Sequence, residues 1–221
     1  MNRKEIQMTR MWKYFVDATA EIIETEGIEN VTIRKIGKLA GYTSSTIYNY
    51  FGELSHLIFF ASMRFINPYI KELSYYMTMG KNHIEKYLLS WECFCKHSFK
   101  DPQIYNAIFN SDLGATPEEL LKHYFEVYQN DLTGLSEEVK PLIFEHNITK
   151  RGKAVLQKAV EEGYLDQDTS EDINNMTILL WRGMLTTILN NRRDFKQEEA
   201  VEETMKYVRN ITMNALKKPL E

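Results

Sequence analysis

Cysteine, proline and glycine are scarce: the 221 residues contain two, five and ten of them. Such a composition excludes a collagen-like repeat or a Pro/Gly-rich linker, and nothing in it marks a disulfide-stapled secreted scaffold. Long apolar runs are also missing. The densest, 57–61 and 178–181, fall far short of the ~18 residues a membrane span requires. No secretory signal is expected, because Lys4, Glu5, Gln7, Thr9 and Arg10 interrupt any apolar core near the start. These absences predict a cytoplasmic protein with no membrane contact. What is present is 43% hydrophobic and 26% charged residues, enough to build a core and to solvate its surface.

The two cysteines, Cys93 and Cys95, are two apart, which on a helix points them to nearly opposite sides. A bridge between them is not expected, and two free thiols suit a reducing compartment. Their C-x-C spacing lacks nearby residues to complete a metal or redox site. Histidines 83, 97, 123 and 146 form no i,i+3 or i,i+4 pair, the spacing a helical metal site favours. No metal and no cofactor is therefore expected. Neither a nucleophile elbow nor a glycine-rich phosphate loop occurs, so no catalytic residues are assigned and an enzyme is not expected.

Net charge is −4, which excludes a uniformly basic nucleic-acid binder. Its distribution is uneven. Residues 1–52 carry a net +1 and the remainder −5. Five of the six acids in the front segment lie in 17–29, and Arg34, Lys35 and Lys38 follow with no acid until Glu53. A local positive surface is expected there.

Apolar residues recur at three and four along the chain, and no strand-like alternation persists, so the fold class is all-α. A first helix is predicted over 9–26, with Met11, Phe15, Ala18, Ile22 and Ile23 inward, ended by Gly27. Thr32 is placed as the N-cap of a short helix reaching Ala40, with Ile33, Ile36 and Leu39 inward. Thr43 is placed as the next cap, before a helix over 44–51. A long helix over 53–79 contains Pro68 and should kink or break near Asn67, a candidate hinge. Further helices are predicted from Asn82 to Phe99, from Pro102 to Asp112, and from a Thr116–Glu119 capping box to Gly134. The last three predicted helices span 136–162, 169–192 and 197–217.

The informative stretch is 31–51, VTIRKIGKLAGYTSSTIYNYF. Two short helices separated by Gly41-Tyr42-Thr43 are the pattern of a helix-turn-helix, whose second helix can enter the DNA major groove. Ile47 and Phe51 share the inward face, while Ser44/Tyr48 and Ser45/Asn49 pair on other faces. Hydroxyls and amides can read base edges, and Thr or Tyr can hold phosphates. The same pattern also describes an ordinary helix pair with a solvated basic face.

The first 57 residues resemble the DNA-binding domain of the TetR family of bacterial transcriptional regulators. The residues that carry the resemblance are Ala18, Glu26-Gly27, Thr32, Ile36, Ala40-Gly41, Thr43, Thr46-Ile47-Tyr48 and Phe51. The resemblance implies an N-terminal helix-turn-helix domain, residues 1–52, and a C-terminal ligand-binding and dimerisation domain, residues 53–221. It places Thr43, Ser44, Ser45, Thr46, Tyr48, Asn49 and Tyr50 on the recognition helix, with Thr32, Arg34 and Lys35 nearby and Thr32 and Tyr48 at phosphate-contacting positions. Two positions depart from the family pattern: Leu54 stands where a Lys is common, and Tyr50 where His is common. A weakened DNA reader that works as a small-molecule or protein-binding module is the alternative.

The aromatic-rich remainder predicts an apolar pocket for a small-molecule effector. Trp91, Phe94, Phe109, Tyr124, Tyr128, Phe144 and Trp181 are candidate lining residues. Two late stripes predict a homodimer interface: Met176, Leu180, Gly183, Met184 and Thr187 on one helix, Met205, Val208 and Thr212 on the next. The expected protein is a homodimeric repressor that a small apolar or aromatic ligand releases from a palindromic operator.

Overall fold

A computed structural model describes residues 3–114, 117–191 and 196–220. Its regular structure is helical throughout, with no strand among the described residues. The α-helices are α1 (Arg3–Glu26), α2 (Ile33–Ala40), α3 (Ser44–Tyr48), α4 (Leu54–Met63), α5 (Asn67–Met79) and α6 (His83–Lys100). They continue with α7 (Pro102–Phe109), α8 (Pro117–Val127), α9 (Lys140–Phe144), α10 (Ile148–Glu161), α11 (Gln167–Leu189) and α12 (Gln197–Asn214). Two compact units form, one from 1–67 and 103–133, the other from 68–102 and 134–221. This is a division by packing. The functional boundary expected between residues 52 and 53 is a separate matter.

The first unit is built around Trp12. Its indole stacks on Phe51 at 4.3 Å and meets the edge of Phe60 at 4.2 Å between ring centroids. Its N–H donates to the Tyr50 carbonyl at 3.2 Å, so burial leaves this polar atom paired. Phe15 and Val16 on α1, Ile36 on α2, Ile47 on α3 and Phe60 on α4 are fully buried around it. From α8, Tyr124 stacks on Phe60 and His123 meets the Trp12 edge. These contacts are why α8 belongs to this unit.

The second unit is organised by α6, which packs against α10, α11 and α12. Trp181 of α11 is completely buried, donates its indole N–H to Ser98 Oγ at 3.0 Å, and lies 5.0 Å from the Phe94 ring. Gly152 lets α10 approach α11 closely. A Cβ there would sit 2.0 Å from Asn174 Oδ1, whose amide donates to the Thr149 carbonyl at 2.8 Å.

Several expected boundaries shift, each for a local reason. The long helix over 53–79 is two helices joined by a 3-10 turn at Arg64–Ile66. Pro68 has no N–H, and its ring clashes with the carbonyl four residues earlier, so the turn before it tightens. The helix over 136–162 is also two, because Glu145–Asn147 is irregular. Asn147 is extended and its side chain caps α10, accepting from Thr149 N at 2.9 Å and Lys150 N at 3.3 Å. Arg151 reaches back to donate to the Glu145 and Ile143 carbonyls, which the end of α9 leaves without helical partners. α8 ends at Val127 rather than Gly134, and a 3-10 turn follows at Gln129–Leu132. α7 stops at Phe109, before Asp112. Leu39, expected inward, is 44% exposed. Thr116 of the expected capping box lies outside the described residues.

Candidate nucleic-acid interface and ligand pocket

The turn between α2 and α3 is fixed by local hydrogen bonds. Thr32 caps α2 by accepting from Lys35 N at 3.2 Å, and Thr43 caps α3 by accepting from Thr46 N at 3.3 Å. Each such cap contributes about 1 kcal/mol. Gly41 adopts φ 72°, a left-handed conformation that costs other residues energy. The Gly37 carbonyl accepts from Gly41 N and from Tyr42 N, the latter at 2.9 Å. A Cβ on Gly37 would lie 2.7 Å from the Tyr42 carbonyl oxygen, so only glycine fits this crossing.

The outward face of α3 carries the expected readers. Thr43, Ser44, Ser45, Tyr48 and Asn49 are exposed, while Thr46 and Tyr50 are half-buried. Tyr48 is 52% exposed. Thr43 Oγ1 sits 2.9 Å from Ser45 Oγ and 3.0 Å from Thr46 Oγ1, a hydroxyl cluster that can both donate and accept. Regular helix ends at Tyr48, three residues before the expected Phe51, so Asn49 and Tyr50 sit on a closing turn. Tyr50 turns its ring toward Phe15, 5.7 Å away. Arg34 and Lys38 are exposed, but Lys35 is paired with Glu26 at 2.7 Å. Part of the local positive charge is thus neutralised.

The expected pocket residues do not share one site. Trp91 and Phe94 line a narrow pocket of about 40 Å³ in the second unit. Its other walls include Tyr69, Leu73, Ser90, Leu142, Val155 and Arg151. Burial pushes the Tyr69 hydroxyl up to about 12, against the opposing pull of Arg151, so it stays a neutral phenol at physiological pH. The polar groups in this wall are therefore a phenol, a hydroxyl and a guanidinium.

Phe109, Tyr124 and Tyr128 belong to the first unit instead. Tyr124 donates to Asp131 at 2.6 Å, and burial followed by that carboxylate pushes its hydroxyl far up. Tyr128 lies under two cations, Lys13 at 5.5 Å and Arg64 at 4.9 Å from its ring centroid. Phe144 is 43% exposed and Trp181 is core. Periodicity marks all seven as apolar and cannot say which of them border empty space.

The dimer stripes also divide. Met205, Val208 and Thr212 are buried within their own subunit, where α12 packs on α6, so that half of the expected interface is core. On α11, Met176 and Gly183 are exposed and Leu180, Met184 and Thr187 are half-buried. Leu179, which the stripe omitted, is 67% exposed, and Tyr207 and Met213 of α12 are exposed as well.

Glu72, Cys93 and His97 bring one potential metal-ligand atom each within 4.8 Å of one another. The expectation that nothing near Cys93 and Cys95 could complete a metal site does not hold for Cys93, because His97 stands four residues further along α6. Glu72 is contributed by α5 and joins them only through packing.

Residues 15–57 match the family described as bacterial regulatory proteins, tetR family. No curated protein matches the chain in sequence. Among solved structures, Thermus thermophilus FadR, a TetR-family transcriptional repressor in complex with lauroyl-CoA, is similar with a TM-score of 0.59 at 14% identity, over 95% of this chain and 96% of that one. RolR in complex with the ligand resorcinol is similar with a TM-score of 0.59 at 16% identity, over 98% of each chain. A Haloarcula marismortui TetR transcription regulator gives 0.56 at 14% identity, over 93% and 98%. At these identities the likeness is one of fold. Among the described residues, no helix is long and apolar enough to cross a membrane.

Proposed function

We propose, from the premise that the N-terminal segment of this chain is a TetR-family DNA-binding domain on a TetR-like fold, that the protein is a cytoplasmic, homodimeric transcriptional repressor. Its effector is a small apolar or aromatic molecule, and it has no enzymatic role. The observation that carries this reading is the capped α3, whose hydroxyl, amide and phenol groups face outward while Ile47 anchors it in the core. Thr32, Arg34 and Lys35 supply phosphate contacts, and Thr43 to Tyr50 supply base-edge and backbone contacts.

The pocket of Trp91, Phe94, Tyr69 and Leu73 receives the effector, with Arg151, Ser90 and the Tyr69 hydroxyl orienting it. FadR and RolR are solved with ligands of very different size, which fits a family whose pocket varies. A ligand releases DNA only by as much as it prefers the non-binding state. The 3-10 turn before Pro68 is the proposed hinge.

Fluorescence anisotropy with DNA from immediately upstream of the protein's own gene tests the reading, with a scrambled duplex and a salt series alongside. A preference of at least about a thousandfold for one duplex is expected. Arg34→Ala should weaken binding to both duplexes alike and lower the salt slope by about 1. Weak binding without preference, followed by failed selection from random duplexes, would favour the alternative of a decayed reader. Leu54 and the Lys35–Glu26 pair are the features that support that alternative.

For the dimer, we place the two-fold contact on the outer face of α11, around Met176, Leu179, Leu180 and Gly183. Leu179→Glu should leave the subunit folded, since the side chain is already exposed there. Sedimentation should show monomers, and operator affinity should fall with the lost half-site. A variant that stays dimeric would move the interface elsewhere.

A further inference from the structure

The short turn 80–82 joins α5 and α6. Cys93 and His97 stand one helical turn apart on α6, and Glu72 meets them from α5. Cys93 is buried, while Glu72 and His97 are half-buried. We propose that Glu72, Cys93 and His97 form a binding site for one divalent ion of borderline softness, with Zn²⁺ as the best fit.

Donor chemistry selects the ion. A thiolate, an imidazole and a carboxylate together suit Zn²⁺ and disfavour Ca²⁺ and Mg²⁺, which prefer oxygen alone. Zinc bonds of about 2.0–2.3 Å place tetrahedral ligand atoms roughly 3.3–3.7 Å apart. The three atoms already lie within 4.8 Å of one another, so modest side-chain rotation would close the site without moving either helix backbone.

The polar contacts of Glu72 fit the same role. Its Oε2 lies 2.5 Å from His97 Nε2, a contact an ion would replace by bonding to both atoms. Its Oε1 accepts from Lys96 Nζ at 2.6 Å, and that bond can persist to orient the ligating carboxylate. Loading follows Zn²⁺ + Cys93–SH → Cys93–S–Zn⁺ + H⁺, with the released proton passing to solvent. Three protein ligands leave a fourth position open to water or an exogenous donor.

The test uses untagged, reduced, chelator-stripped full-length protein. Co²⁺ titration reads the thiolate-to-cobalt charge-transfer band, and equilibrium dialysis counts bound Zn²⁺. One ion per chain is expected, with the band present. Cys93→Ser should abolish the band, while Cys95→Ser, two residues along α6, should leave it intact. Glu72→Gln keeps the thiolate and so should keep the band while weakening affinity about tenfold or more. Circular dichroism of each variant separates loss of ligation from loss of fold, and the Glu72→Gln arm decides the matter if Cys93→Ser fails to fold. No bound ion at micromolar free metal, or a band that survives Cys93→Ser, or unchanged affinity in Glu72→Gln, would overturn the proposal.

Discussion

Gly37→Ala is expected to cost the first unit about 1–3 kcal/mol, the range for forcing an extra methyl into a packed site. The added Cβ falls 2.7 Å from the Tyr42 carbonyl oxygen, a backbone atom that cannot rotate aside. Relief requires α2 and the 41–43 turn to separate. That would disturb the bonds of the Gly37 carbonyl with Gly41 N and Tyr42 N, which hold the crossing. α3 then leaves its position, and each base contact it loses weakens specific binding by about 1–3 kcal/mol. The expected result is a lower denaturation midpoint together with a loss of operator preference. Gly52→Ala is the control, because nothing lies within 4 Å of its added Cβ, and it should stay within about 0.5 kcal/mol of the parent. Equal midpoints and equal operator affinity for the parent and Gly37→Ala would refute this account of the turn.

Trp181→Ala should have the largest effect on the second unit, about 3–5 kcal/mol by the measure of buried aromatic truncations. The side chain has no exposed surface, and its removal leaves a void beside Phe94. Trp181→Phe is the sharper variant. It keeps a ring against Phe94 but removes the 3.0 Å bond to Ser98 Oγ, leaving that hydroxyl its long 3.4 Å donation to the Cys95 carbonyl. A loss of about 1–3 kcal/mol is expected for that change. Urea denaturation of the two variants checks both figures. The same experiment separates the two roles open to this residue. A wall of the ligand pocket would lose ligand affinity and little stability; a core residue loses stability first. A parent-like urea midpoint for Trp181→Ala would return this residue to the pocket.

What could be read from the chain was what short-range geometry dictates. Thr32, Thr43 and Asn82 each accept from an amide three residues on, so their identity and position sufficed to place three helix starts. Gly41 at φ 72° and the inward Ile36 and Ile47 follow from the same local rules. Pro68 announced an interrupted helix because its ring and missing N–H act within one turn, and the 3-10 turn at 64–66 is the outcome. Asn147 is a cap of the same kind, and it interrupts the single helix expected over 136–162.

Where a stripe goes once formed was beyond local reading. Met205, Val208 and Thr212 keep the period of a buried face whether the cover is a partner or their own subunit, and only packing showed α12 to be covered within the subunit, where it meets α6 and α11. The aromatic residues behaved alike: Trp91 and Phe94 border a pocket, Tyr124 and Trp181 fill cores, and Phe144 faces outward. All five are large and apolar, so their residue types do not distinguish these fates. Glu72 joins Cys93 and His97 across twenty-one residues of chain, a distance that helical spacing cannot bridge and a side-by-side helix pair can. The all-helical class, the capped α3 and the uncharged chemistry of its outer face were legible in the chain, because each depends on hydrogen bonds and periodicity within a few residues. Tertiary structure alone decided which rings enclose space, which apolar face stays uncovered and which distant ligands converge, because those depend on how whole helices share a limited interior.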